Sequence, residues 1–203
     1  MAKASLGERR VFSNLAYVRA TVWESENSGP TGDTYDITEV VADTTTVEQA
    51  ENESNALEHE FKNTPLYENI QLGDKTIALE SIDLQNDVLK GLFGWTEIKG
   101  GESNSDVIGM AAPIAYRALY ATFELGFVNS EDVIVLPKVL LNSRAVIASM
   151  KTDASRANIN GTCYTAWVDG VETDMAILAS AKTTVESEIT TLLARVTGEA
   201  PEA

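Results

Sequence analysis

Short runs of β-branched and aromatic residues, cut at close intervals by turn-forming residues, govern what this chain can fold into. Leu15–Trp23 reads L-A-Y-V-R-A-T-V-W, and Tyr35–Val41 is a weaker run of the same kind. Asn158–Val168 reads N-I-N-G-T-C-Y-T-A-W-V and stops at the turn signal Asp169-Gly170. Side chains of this type fit a pleated, half-buried surface. Thr44–Glu51 and Ala56–Phe61 read as a hairpin pair turning near Glu53, Ser54 and Asn55. In its second strand Leu57, His59 and Phe61 alternate with Glu58 and Glu60, the period-two pattern of a strand with one buried face. Pro65–Ile70 and Lys75–Ile82 flank Leu72-Gly73-Asp74 as a second hairpin, and Ala115–Leu125, Asp132–Asn142 and Arg144–Lys151 complete the strand signals. Pro137, inside one of these runs, has no N–H to give a ladder and marks an edge or a bulge.

Two stretches change to the helical period. Leu84, Val88, Leu89, Leu92 and Phe93 form one apolar stripe, with Asp83 placed as a cap and Gly94 as a left-handed exit. Val185, Ile189, Leu192, Leu193 and Val196 form another over Thr184–Val196, with Thr183 and Glu186 spaced as a capping box and Gly198 as a stop. The expectation is a mainly β protein: a β-sandwich or barrel with one mid-chain flanking helix and a C-terminal amphipathic helix. The chain divides into an N-terminal arm, 1–14, a single β-rich domain, 15–197, and a tail, 198–203. The polar, glycine-rich loops Ser25–Asp33 and Lys99–Asp106 are mobile by composition. At 203 residues the chain is long enough to bury a proper core.

Charge excludes several functions. Fifteen basic residues stand against 31 acids, a net of −16. A surface that grips nucleic acid needs a cationic footprint, and so does adsorption to anionic lipid. The acids are concentrated: residues 24–62 carry eleven against Lys62 alone, whereas residues 1–23 carry Lys3, Arg9, Arg10 and Arg19 against Glu8. The most apolar stretch, Val107–Val128, is broken by Pro113, Arg117, Glu124 and two glycines, so no membrane helix is expected. The opening M-A-K-A-S-L-G-E-R-R-V-F has positive charge with no apolar stretch behind it, and reads as a soluble protein without an export address.

Residues that could carry chemistry are few. His59 is the single histidine and lies on the apolar side of its strand; Cys163 is the single cysteine and lies between Thr162 and Tyr164. Both read as structural, and neither a hydrolytic triad nor a Cys- or His-based metal site can be assembled from them. No phosphate-cradling glycine motif is present; Gly73-Asp74-Lys75-Thr76 lacks the leading glycine. Asp169–Asp174 lacks the alternating carboxylates of a calcium loop and reads as a turn. Trp23, Trp95, Trp167, Tyr116 and Tyr120 read as core or interface residues. The expectation is a protein without catalytic residues, cofactors or metals.

The order of segments resembles the phage tail tube family. P-L-Y-E-N-I-Q-L-G-D-K-T-I-A-L-E-S-I-D-L-Q-N-D-V-L-K-G-L-F-G-W, Pro65–Trp95, is similar to that family's hairpin followed by a short helix ending in L-F-G. Val135–Trp167 is similar to its strand with a central proline, V-L-P-K-V-L-L, then R-A-V-I-A-S-M-K-T-D-A-S, then N-G-T-C-Y-T-A-W. The acidic T-T-V-E-Q-A-E before Pro65 also fits, and together these cover roughly half the chain. The resemblance implies a virion protein of the tail, assembled in the host cytoplasm. Its subunits would form hexameric rings that stack into a hollow tube, touching the tape measure, the tail terminator and, in contractile tails, a sheath. DNA would pass through without being bound. The C-terminal helix departs from the pattern, since tube subunits often end in a strand or a small extra domain.

The charge distribution agrees with a duct for DNA, because acids on a wall repel phosphates over about 8 Å at physiological salt. Glu48, Glu51, Glu58 and Glu60 are the candidate lumen-facing acids, and Arg9 and Arg10 the candidate inter-subunit contacts. Ring closure would also remove exposed strand edges. The alternatives are another virion β-module, for head decoration or tail completion, a carbohydrate-binding β-sandwich with exposed aromatics beside a carboxylate pair, and an adhesin or pilus module.

Overall fold

The computed structural model describes residues 12–37, 39–59, 62–82, 85–100, 107–115, 117–142, 144–146, 156–183 and 185–198. The protein is mainly β. Its first eight strands are β1 (Leu15–Val22), β2 (Thr34–Ile37), β3 (Thr46–Gln49), β4 (Glu53–His59), β5 (Lys62–Gln71), β6 (Lys75–Ser81), β7 (Thr96–Lys99) and β8 (Val107–Ala111), with helix α1 (Asn86–Phe93) between β6 and β7. There follow β9 (Tyr120–Phe127), β10 (Val133–Leu141), β11 (Arg144–Val146), β12 (Arg156–Tyr164), β13 (Ala166–Val168), β14 (Val171–Thr173) and β15 (Ala176–Leu178), then α2 (Glu186–Leu193) and β16 (Val196–Thr197). They group into two compact units: 1–38, 120–138 and 165–203 form the first, and 39–119 with 139–164 the second.

In the first unit β1 lies between β2 and β9, and β9 is followed by β10, whose Val133–Val135 also pair with β15. Register sorts the side chains. Val18 stands beside Leu125 and Ile37, and Ala20 beside Phe123, which makes one face apolar; all five are buried. On the opposite face Arg19 stands beside Glu124 and Asp36, Thr21 beside Thr122, and Tyr17 beside Gly126. A Cβ on Gly126 would lie 2.2 Å from the Tyr17 ring, so this strand glycine exists to let the ring lie flat across it.

Trp23, Val133, Val135, Ala166, Val168, Leu178, Leu192 and Val196 form a buried cluster in this unit. Each valine or leucine among them contributes roughly 1.5–3 kcal/mol by leaving water. The expected 13-residue C-terminal helix is shorter: α2 ends at Leu193, and Val196 pairs instead with Val168. The capping box does not form either. Val185 occupies the cap position and is half exposed, and Thr183 is buried with its hydroxyl on Arg19. The turn Asp169-Gly170 joins β13 to β14 with both residues at positive φ, as its sequence predicts. Within Ser25–Asp33, Gly29 is buried against Val196–Gly198, while Ser25, Glu26, Asn27, Thr31 and Asp33 are exposed.

In the second unit the last residues of β10 stand beside β12, followed by β6 and then β3; β11 pairs with the other end of β12. A Cβ on Gly161 would lie 2.3 Å from Val139, which sets the close approach of β12 to β10. Pro137 follows the last residue of β10 paired to β15, Val135, so its missing N–H costs that ladder nothing. It is inside the sheet, buried, rather than at an edge. Helix α1 buries Val88, Leu89, Leu92 and Phe93, and Gly94 closes it at φ +68°. Gln85 stands at its N-cap, and Asp83 lies outside the described residues.

Two expected hairpins pair differently. β3 is not the partner of β4, nor β5 of β6: β3 pairs with β6, and β4 with β5. Glu53, Ser54 and Asn55, read as a turn, are strand residues opposite Gln71, Ile70 and Asn69. The strand expected at Ala115–Leu125 begins at Tyr120.

Candidate functional site

The nested pairing of β3 with β6 and β4 with β5 makes one long two-stranded arm. Its root, β3–β6, belongs to the sheet; its distal part, β4–β5, pairs with no other strand among the described residues. The joint lies at 50–52 and 72–74. There the Ala50 N–H donates to Asp74 O at 2.9 Å and the Gly73 N–H donates to Asn52 Oδ1 at 3.2 Å. A Cβ on Gly73 would lie 2.2 Å from Ala50 O, so only glycine allows the two backbones to pass this closely.

The arm distributes the candidate acids along its length. Glu48 is exposed on β3, the last strand of the sheet in this unit, opposite Thr76. Glu51 is exposed in the joint, and Glu58 lies in β4. From position 48 to position 58 extended chain rises roughly 30 Å, so these acids make a row and not a cluster. Glu60, Arg9 and Arg10 lie outside the described residues. His59 stands opposite Lys62 at the far end of the ribbon. Cys163 is buried.

A second hairpin, β7–β8, exposes apolar side chains: Ile98, Val107 and Ile108 are each 41–66 % accessible. Beyond it Ile114 is fully exposed at the mouth of a hollow of about 330 Å³. Leu92 and Phe93 of α1, with Leu119 and Leu141, line this hollow, and Pro113 and Arg117 complete its wall. Arg117 is exposed and has no ion-pair partner among the described residues. In the sequence this region carries no site signal, because Pro113 and Arg117 read only as breaks in an apolar run.

The polar side chains that converge are in the first unit. Arg19 Nε donates to Asp36 Oδ1 at 2.7 Å, and its Nη1 donates to Thr183 Oγ1 at 2.7 Å and to Glu124 Oε2 at 3.4 Å. Its guanidinium lies 5.0 Å from the Tyr17 ring centroid. Burial pushes the Glu124 carboxyl up to about 7, with Arg19 and the Thr183 hydroxyl pulling the other way; Glu124 Oε1 has no hydrogen-bond partner among the described residues. Lys138 is held between Trp23 and Tyr120, 5.4 and 5.0 Å from the ring centroids, and pairs with Glu26 at 3.7 Å. At the surface Arg195 grips Asp169, which holds the carboxyl below and the guanidinium above their ordinary values. No group of three or more His, Cys, Asp or Glu side chains converges to hold a metal among the described residues. No helix among them is long and apolar enough to cross a membrane.

No family model matches the chain, and no curated protein is significantly similar to it. Among solved structures, a chain of the anti-feeding prophage baseplate, from a cryo-EM structure symmetrised six-fold, is similar at a TM-score of 0.40 and 9 % identity, over 85 % of this chain and 97 % of that one. A likeness so distant assigns no family.

Proposed function

We propose that this chain is the structural subunit of a phage tail tube. Copies join into rings of six, and the rings stack into a hollow tube whose acidic bore lets DNA pass during ejection. The subunit works by geometry, with no catalytic group and no cofactor. In the virion it meets the proteins that set the tube's length, close its end and, in a contractile tail, surround it.

The observation that carries this reading is the arm. A lone two-stranded ribbon in water is marginally stable at best, and its outer edges are templates for further pairing. A ribbon of this length, rooted in a sheet, is economical for a protein whose copies supply the missing neighbours. Among the described residues the sheet strands also end openly, at β2 in the first unit and at β3 in the second. Exposed Glu48 and Glu51 keep such edges soluble before assembly and repel phosphate after it.

Negative-stain electron microscopy of the purified protein across a concentration series tests the proposal. Rings and tubes with an open bore support it. Small closed rings that never stack favour a head-decoration or tail-completion module, and particles that stay monomeric at high concentration reject both.

A further inference from the structure

The segment 179–183, between β15 and α2, reaches the buried polar row of the first unit through one residue, Thr183. We infer that this segment is a pH-responsive strap, seated while Glu124 carries a proton and lifting when that proton leaves. The Thr183 hydroxyl accepts from Arg19 Nη1 at 2.7 Å and donates to Glu124 Oε2 at 3.5 Å, and the Thr183 N–H donates to the Tyr17 hydroxyl at 3.4 Å. Behind it the Lys182 N–H donates to Glu131 O at 3.0 Å, Lys182 Nζ to Phe127 O at 2.8 Å, and the Ser180 N–H to Asp132 Oδ1 at 3.0 Å. Ser180 is exposed and sits at φ +50°, a left-handed conformation that strains a residue with a side chain. Thr183 is the strap's one buried residue. Arg19, Glu124 and Asp36 stand on three paired strands, so the strap is the part of this surround that can move without breaking a ladder.

The row is built for a neutral Glu124. Arg19 gives its short bonds, both 2.7 Å, to Asp36 and Thr183, and stands 3.4 Å from Glu124. Glu124 Oε1 has no partner among the described residues. A protonated carboxyl tolerates such an orphan oxygen, whereas a buried carboxylate demands donors for it. The other charged neighbours do not supply them. Asp36, across Arg19, repels a second negative charge, and Lys182 spends its ammonium on Phe127 O. On the other side of β9, β10 carries one charged side chain, Lys138, whose ammonium lies against Trp23 and Tyr120. Burial accordingly holds the Glu124 carboxyl at about 7 instead of 4.5. Lifting Thr183 admits water to this carboxyl and frees Arg19 Nη1 to move onto it. The open form then releases the proton in the ordinary carboxylate range while the closed form keeps it. Opening therefore becomes about tenfold more favourable per pH unit between 4.5 and 7.

Amide hydrogen exchange of the dilute, full-length protein from pH 5 to 8 tests this. Hydroxide catalysis alone speeds exchange about tenfold per pH unit. The expected result is a rise of about a hundredfold per unit at Lys182 and Thr183 between pH 5 and 7, falling back to about tenfold above 7. This exchange is faster than at buried Phe123 and indifferent to dilute urea, the mark of a local opening. In Glu124→Gln, which cannot ionise, both amides follow the hydroxide slope throughout. A wild type that shows only the hydroxide slope at both amides overturns the strap. So does a steep slope that dilute urea accelerates in step with Phe123, because the proton then leaves only on global unfolding. A steep slope that survives in Glu124→Gln overturns it as well, because another group then carries the proton.

Discussion

Arg19 and Glu124 stand directly opposite one another on β1 and β9, both buried, with 3.4 Å between guanidinium and carboxylate. Asp36 stands opposite Arg19 on the other side, so three adjacent strands carry an acid, a base and an acid in register. Thr183 reaches into this row and ties the segment before α2 to it.

Glu124 makes stability depend on pH in a direction unusual for a carboxylate. Its native value is about 7 against an ordinary 4.5, because burial outweighs the attraction of Arg19. Between those values the unfolded chain releases the proton while the native protein keeps it, so this group's contribution falls as pH rises from about 4.5 and levels off above 7. Urea denaturation of wild type and Glu124→Gln from pH 4.5 to 8 should show the wild type losing roughly 3 kcal/mol relative to the variant. Parallel profiles would contradict the assignment.

Arg19 is the partner whose loss is most costly. Arg19→Met leaves Glu124 buried without a cation, at a cost of about 3–5 kcal/mol above pH 7. Below that pH Glu124 takes up a proton and the cost shrinks. Unfolding measured at pH 8 and pH 5 should therefore give a larger loss at pH 8, and equal losses would show that the pair is not coupled.

The arm depends on Gly73. Gly73→Val drives a side chain into the Ala50 carbonyl, and overpacking of this kind costs about 1–3 kcal/mol. Amide exchange at Ala50, whose N–H bonds Asp74 across the joint, should accelerate while exchange at Phe123 stays slow. Unchanged exchange at Ala50 would mean the joint tolerates the side chain.

What the sequence made legible was local. The β-branched and aromatic run Leu15–Trp23, the stripe of Leu89, Leu92 and Phe93, the Gly94 exit and the Asp169-Gly170 turn all act within a few residues, and the strand, helix, exit and turn they predict are present in the structure. The partner of a strand was not legible. Gly73 reads as a turn residue whether it joins β5 to β6 as a hairpin or seats the joint of a long arm, since the hydrophobic pattern is the same in both. The polar row was hidden for a related reason: Arg19 and Glu124 lie 105 positions apart, and only register brings them together. Thr183 had the spacing of a helix cap, but a buried guanidinium offered its hydroxyl a stronger partner. For the site, the acid load around Glu48 and Glu51 is legible in the composition, whereas the hollow at Arg117 needs α1 and the segment before β9 to be brought together.

The candidate lumen acids have their own test. Replacing Glu48, Glu51, Glu58 and Glu60 by Lys reverses the charge at the four positions proposed to face the bore. The expected outcome is that the variant still assembles, and that its assemblies retain DNA in a salt-dependent pelleting assay where wild-type assemblies release it. Assemblies that retain no DNA would remove these residues from the bore.

The central claim is that many copies of this subunit build a hollow tube. The most direct measurement is electron microscopy of the wild-type protein alone, concentrated until sedimentation velocity shows growth beyond the monomer. The account predicts stacked rings with an open centre; a single monomeric species at every concentration would contradict it.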